Sequence, residues 1–171
     1  DDGYHEIATV MQSLSLADTI TLTRKEEGIT LTVDRSGLES DERNLAYRAA
    51  ALIAKECGIR GGVHIDIVKR IPIAAGLAGG SADAAATFRG MNDLYELGLS
   101  DAELCVLGAQ IGSDIPFSLV GGTVLATGRG EIMQRLSDFP ETVVLLAKPP
   151  VAVSTPWAYR SYDEHPPEFH P

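Results

Sequence analysis

Between Lys69 and Ala86 the sequence is built almost entirely from glycine, alanine and other small residues, and it joins a strand pattern to a helix pattern. Val63, Ile65 and Ile67 alternate with His64 and Asp66, which predicts a strand leading into the loop. The alanine-rich stretch from Ser81 to about Tyr95, with Phe88 and Met91 toward its end, predicts a helix leading out of it. Gly76, Gly79 and Gly80 permit positive φ, so backbone N–H groups can approach a ligand closely. A helix opening near Ser81 adds its unpaired amides and the positive end of its dipole. Such a loop suits phosphate, and hence a nucleotide. Close packing of a helix on a sheet also selects glycine and alanine, so the loop alone leaves both readings open. It is neither a Walker A loop nor a dinucleotide fingerprint, because the Gly-Lys-Ser/Thr ending and the Gly-x-Gly-x-x-Gly spacing are both absent.

Around this loop the pattern is α+β with short connections. Ile20 and Leu22 alternate with threonines, as do Ile29, Leu31 and Val33, which predicts two half-buried strands joined as a hairpin through Glu27-Gly28. Asp41 is a candidate cap for a helix through Leu45, Ala49, Leu52 and Ile53, with Gly58 as its terminating residue; Asn44 could equally cap its start. Ser100 and Glu103 have the spacing of a capping box, opening a helix to about Ala109. The segments from Thr123 to Ala126 and from Thr142 to Ala147 are short strand candidates, and the proline-rich end from Asp163 to Pro171 reads as linker or tail.

The chain has 171 residues, 44% of them hydrophobic, which is enough for one sizeable core. Its net charge of −10 argues against nucleic acid or an anionic membrane as partner, because both would be repelled. Polyanionic small molecules would then depend on backbone dipoles, Mg2+ and a few local cations such as Lys69. A solvated strand end is the alternative for Lys69 and the preferred reading for Arg70. Cys57 and Cys105 fall in helical patterns, where small buried side chains are expected rather than a disulfide.

Pro72 to Ala85 resembles the second motif of the GHMP small-molecule kinases, P-x-x-x-G-L-G/A-S/G-S-x-A/S. Further stretches resemble that family in order: Asp2 to Glu6, Arg43-Asn44-Leu45, Gly112 to Phe117, Gly121 to Thr123 with Ala126 to Glu131, and Ser154-Thr155-Pro156 with Tyr159. The resemblance implies the family's amino-terminal domain, a two-layer α+β fold with a mixed sheet, over residues 1–150. Residues 151–171 would begin a connection onward. It implies ATP and Mg2+ as cofactors, held by Lys69, Pro72, Ala74, Ala75, Gly76, Leu77, Ala78, Gly79, Gly80, Ser81 and Ala82, with the Ser81 hydroxyl on phosphate or metal.

The same resemblance makes Asp114 the catalytic base, although spacing alone reads it as an N-cap of a short helix containing Pro116. It also implies a small-molecule substrate, a cytidine diphosphate-linked sugar alcohol. Tyr4 and Tyr159 would stack on the base, His5 would pair with its polar edge, and Asn44 and Thr155 would line the substrate or nucleotide. Taken singly, the tyrosines read as core-edge residues and His5 as a surface histidine. Other members of the family share the loop but have no reason to carry Tyr4 and His5; a non-catalytic module of the same fold would lack the loop and be basic. The implied location is cytoplasmic in bacteria, or plastid. Two departures stand out: the family's lysine-bearing first strand and its carboxy-terminal domain have no counterpart here, so a fragment with little activity of its own is expected. Ala74, Ala75 and Ala78 replace frequent glycines, which should restrict φ in the loop.

Overall fold

A computed structural model describes residues 6–128, 130, 132–149, 151 and 154–165. Among the described residues six strands and five helices follow one another: β1 (Ile7–Gln12), β2 (Thr19–Lys25), β3 (Ile29–Val33), α1 (Leu45–Glu56), β4 (Gly62–Val68), α2 (Gly79–Leu94), α3 (Asp101–Ala109), α4 (Ile115–Val120), β5 (Thr123–Gly128), β6 (Ile132–Arg135) and α5 (Thr155–Glu164). They build two three-stranded sheets, β2-β4-β3 and β1-β5-β6. The first is the expected mixed sheet, with β2 antiparallel and β3 parallel to β4. The second is wholly antiparallel.

β2 and β3 do not form the expected hairpin, because β4 lies between them. Lys25 is in register with Gly62 and Ile29 with Val63, so the turn at Glu27-Gly28 straddles the start of β4. Gly62 makes this possible: a Cβ there would lie 2.2 Å from the Glu27 carbonyl carbon. The reason for the insertion is burial. Val63, Ile65 and Ile67 of β4 are buried completely or nearly so, whereas β2 and β3 are only partly covered. The inward-facing residues of β4 are all β-branched aliphatics, and the central position shields them on both edges.

α1 and α2 cover the inner face of this sheet, with Ala46, Ala49, Ala50 and Ile53 from one and Ala84, Ala85, Phe88 and Met91 from the other in a single core. Leu104, Ile115 and Leu119 extend that core to α3 and α4. Small residues allow close approach at two contacts: a Cβ on Gly90 would meet Leu22 at 2.5 Å, and one on Gly108 would meet Ile115 at 2.7 Å.

Local signals explain most helix boundaries. Asn44, not Asp41, caps α1 by accepting from the Ala46 amide, while Asp41 binds the amide and guanidinium of Arg43. Gly58 follows the helix at φ +63°, as a terminating glycine should. The Ser100–Glu103 capping box is fully formed at α3. The two cysteines are free and half-buried. The Thr142–Ala147 strand is not formed: the segment pairs with no described strand, and Val143 and Leu145 are 98% and 91% exposed. α5 begins before the expected tail and contains Asp163 and Glu164; residues 166–171 lie outside the described residues.

Candidate active site

The strand-to-helix loop is where sequence and geometry converge. After β4 the chain bends at Ile71, turns at Ile73 and Ala74, and reaches α2 through Ala74 (φ +52°), Gly76 (φ +70°) and Ala78 (φ +50°). Alanine therefore does not keep this backbone out of the left-handed region, contrary to expectation. It adopts that region at a strain of about 1–2 kcal/mol per residue. Gly79 and Gly80 are already helical, and their role is packing. A Cβ on Gly79 would stand 3.0 Å from Ile71 and 3.4 Å from the Lys69 Nζ; one on Gly80 would stand 3.4 Å from Leu45.

α2 thus begins two residues earlier than the sequence suggests, with Ala78 as its N-cap and no side chain bonded to its first amides. The first backbone donor after the loop is Ala82, which bonds the Ala78 carbonyl. Among the described residues, no N–H from Ile73 to Ser81 makes a backbone hydrogen bond outside regular structure or receives a side-chain cap. These donors sit in the wall of a cavity of about 380 Å³ that also includes Asn44, Arg43 and Ser81. A cradle of free amides at the start of a sixteen-residue helix is suited to an anion.

On the other side of Gly76, Leu77 and Ala78 lies a second cavity of about 460 Å³, bounded by the β1–β2 connection and by Phe117 and Ser118 of α4. Asp114 is the N-cap residue of α4, one turn before Ser118, and Pro116 occupies the first turn, as the sequence implied. Its side chain makes no cap hydrogen bond, and it is exposed. It is not in the wall of either cavity.

Below the loop, the structure reveals a buried cluster that the sequence reading missed. Lys69 is 5% exposed, and its Nζ donates to Asp18 Oδ2 at 2.5 Å and to Asp83 Oδ2 at 2.7 Å. It is neither a solvated strand end nor an unpaired cation, whereas Arg70 is exposed as expected. Asp18 Oδ1 accepts from the Arg70 and Ile71 amides at 2.5 and 2.8 Å. Burial would raise the Asp18 carboxyl, but the bonds from Lys69 and from the two amides outweigh it and hold the group below its ordinary range. Burial dominates at Asp83 and pushes it up to about 6 against the pull of Lys69. Burial would lower Lys69, but its two carboxylate partners keep it raised. Asp83 was detectable in principle: it is the lone charged residue in an alanine-rich helical run, four residues before the buried Thr87. Asp18 gives no comparable local signal.

The remaining candidates are dispersed. Tyr4 and His5 lie outside the described residues. Thr155 opens α5 but its side chain lies outside the described residues, and Tyr159, on the same helix, is in the wall of neither cavity. Among the described residues, no group of three or more His, Cys, Asp or Glu side chains could hold a metal ion. No helix among them is long and apolar enough to cross a membrane.

The frame of the site is thus a mixed sheet under two helices, with an open amide loop feeding the second. The chain belongs to the GHMP kinase family: residues 44–122 match the GHMP kinases N terminal domain. Among curated relatives it is similar to the 4-diphosphocytidyl-2-C-methyl-D-erythritol kinase of Shouchella clausii, with 53% identity over 93% of this chain and 54% of that protein. It is 56% identical to the enzyme of the same name from Synechococcus sp. strain JA-2-3B'a(2-13), over 94% of this chain and 52% of the relative. A crystal structure of 4-(cytidine 5'-diphospho)-2C-methyl-D-erythritol kinase matches all of this chain and 60% of its own, with TM-score 0.78 and 35% identity. A mevalonate kinase at 17% identity and TM-score 0.65 shares the fold. The chain spans about half the length of the curated relatives it matches.

Proposed function

We propose that the natural protein carrying this sequence transfers the γ-phosphate of ATP to the 2-hydroxyl of 4-diphosphocytidyl-2-C-methyl-D-erythritol. The observation that carries the reading is the run from Ile73 to Ser81, whose amides are left open at the start of α2. In this reading residues 1–150 form the nucleotide- and substrate-binding domain and residues 151–171 lead onward. Loop amides from Ala74 to Ala82 hold the nucleotide phosphates, and Pro72 sets the turn that presents them. Lys69 acts through the shape of the loop, because its ammonium is already paired.

ATP supplies the transferable phosphoryl group, and Mg2+ neutralises charge on its oxygens. With no described cluster of metal ligands, the chain's contribution to that cation is the Ser81 hydroxyl, the phosphates themselves supplying the other oxygens. Asn44 lies in the cavity wall beside the loop, while its side chain also caps α1, which fixes its orientation. Tyr4 and Tyr159 stack on cytosine, His5 reads its polar edge, and Thr155 contributes a hydroxyl at the start of α5. Asp114 orients the acceptor alcohol and takes its proton late, as the bond to phosphorus forms. Most of the acceleration then comes from alignment of the two reactants.

The test is phosphoryl transfer from γ-labelled ATP to the cytidine diphosphate-linked alcohol. Asp114→Asn should lower turnover by about 10²–10⁴-fold while leaving ATP affinity unchanged. Transfer by the unaltered protein to homoserine or mevalonate, and not to the cytidine compound, would refute the substrate assignment. Location in the bacterial cytoplasm or a plastid accompanies this reading.

A further inference from the structure

Lys69, Asp18 and Asp83 come from three separate segments: the residue just after β4, the residue just before β2, and the first turns of α2. Together they tie the two ends of the glycine loop. Asp18 Oδ1 fixes the amides of Arg70 and Ile71 where the chain leaves β4. Asp18 Oδ2 and Asp83 Oδ2 then share the Lys69 ammonium, linking that point to the helix at the loop's far end. Gly79 closes the arrangement, since a Cβ there would crowd Ile71 at 3.0 Å and touch the Lys69 Nζ at 3.4 Å.

Between the two ties, Ala74 and Ala78 are held at positive φ without a hydrogen bond of their own amides to pin them. Strained backbone of this kind persists only where its surroundings over-determine it. The buried triad is the anchor present at both ends. Its second Asp83 oxygen is buried without a partner, so the cluster keeps an unsatisfied acceptor beneath the loop. A fold seeking stability alone gains little from such a group.

We propose that Asp18 and Asp83 are positioning residues that act through Lys69 to set the path of the loop and thereby its affinity for a nucleotide triphosphate. The inference rests on the phosphate-binding reading of that loop. Asp83 borders the loop cavity but is 5% exposed and bonded to Lys69, so each carboxylate acts by placing the amides.

The experiment uses the 171-residue chain, its Asp18→Asn variant and, on the other side of the lysine, its Asp83→Asn variant. Each substitution keeps the size of the side chain and an oxygen acceptor while removing the charge. Binding of ATP-Mg2+ is measured by calorimetric titration, and backbone amide resonances are recorded without ligand. Outer-shell hydrogen bonds that orient ligating groups are worth about 10–100-fold in affinity, and a loss in that range is expected in either variant that melts cooperatively. Resonances from Ile73 to Ser81 should move, while those of Asp101 to Glu103 in α3 should not. A purely structural role would lower the melting temperature and leave both readouts unchanged in the folded protein. ATP affinity within about twofold of the unaltered chain, in a folded variant, would overturn the proposal while the phosphate-binding reading survives. Absence of ATP binding by the unaltered chain would overturn that reading and this proposal with it. Failure of both variants to fold would also overturn it, making the triad a support of the core.

Discussion

At the start of α3 the Ser100 hydroxyl accepts from the Glu103 amide, and the Glu103 carboxylate returns to the Ser100 amide. At the start of α2 Ala78 has no side-chain oxygen to offer, and the amides before Ala82 stay open. Both helices pack on the same core, so the difference is local. An α-helix leaves its first N–H groups without intrahelical acceptors, and side-chain caps are the common remedy. One helix uses the remedy and the other forgoes it, beside a cavity and behind a backbone held in strain. Under the proposed function, the contrast separates a helix start that serves stability from one kept available for a ligand.

The sharpest way to break this contrast is to remove the cation beneath α2. Lys69→Met leaves Asp18 and Asp83 buried without their shared partner, and losing one member of a buried ionic cluster costs about 3–5 kcal/mol. Urea unfolding monitored by far-UV circular dichroism should show that loss. A change below about 1 kcal/mol would mean that the carboxylates take up protons or water at little cost.

A smaller effect belongs to the closed start. Ser100→Ala should destabilise the chain by about 1 kcal/mol in the same unfolding experiment and leave ATP affinity untouched. Coupled loss of affinity would show that the two helix starts are not independent. Acid provides another probe of α3. Hydrogen bonds from the Ser100 hydroxyl and amide hold the Glu103 carboxyl below its ordinary value of 4.5, so its stabilising contribution is present above that pH. It fades as pH falls through the lower folded value, because the carboxylate must then accept a proton. Melting curves of the parent and Glu103→Gln should therefore differ near neutrality and converge in acid. A gap that persists in acid would assign the effect to packing.

The smallest effect expected is a gain. Ala78→Gly relieves about 1–2 kcal/mol of left-handed strain and returns about half of it as entropy of the unfolded chain, so the melting temperature should rise slightly. ATP affinity should fall a little as the loop loses its fixed path. A fall in melting temperature would indicate that the Ala78 methyl contributes packing that outweighs its strain.

Local chemistry made much of this legible in advance. The period-two pattern of Val63, Ile65 and Ile67, the Gly58 terminator, the Ser100–Glu103 box and Pro116 in the first turn of α4 each declare themselves within a few residues. What escaped depends on distant partners. The Ile20 and Ile29 strands look like a hairpin until β4, more deeply buried than either, takes the place between them. The Thr142–Ala147 run has strand-forming residues, but among the described residues it has no strand to pair with. Lys69 reads as a cation available to phosphate because its partners lie 51 and 14 positions away. The left-handed course of the loop at Gly76 was legible, whereas the anchor beneath it was not, since ionic clusters leave no periodicity.

Residue-specific amide shifts on titrating ATP-Mg2+ into the isotope-labelled chain test the central claim most directly. Saturable shifts concentrated from Ile73 to Ser81, with Asp101 to Glu103 unmoved, are the predicted result. Saturable binding whose shifts lie elsewhere, or no shift in that loop at any ATP concentration, would contradict the account.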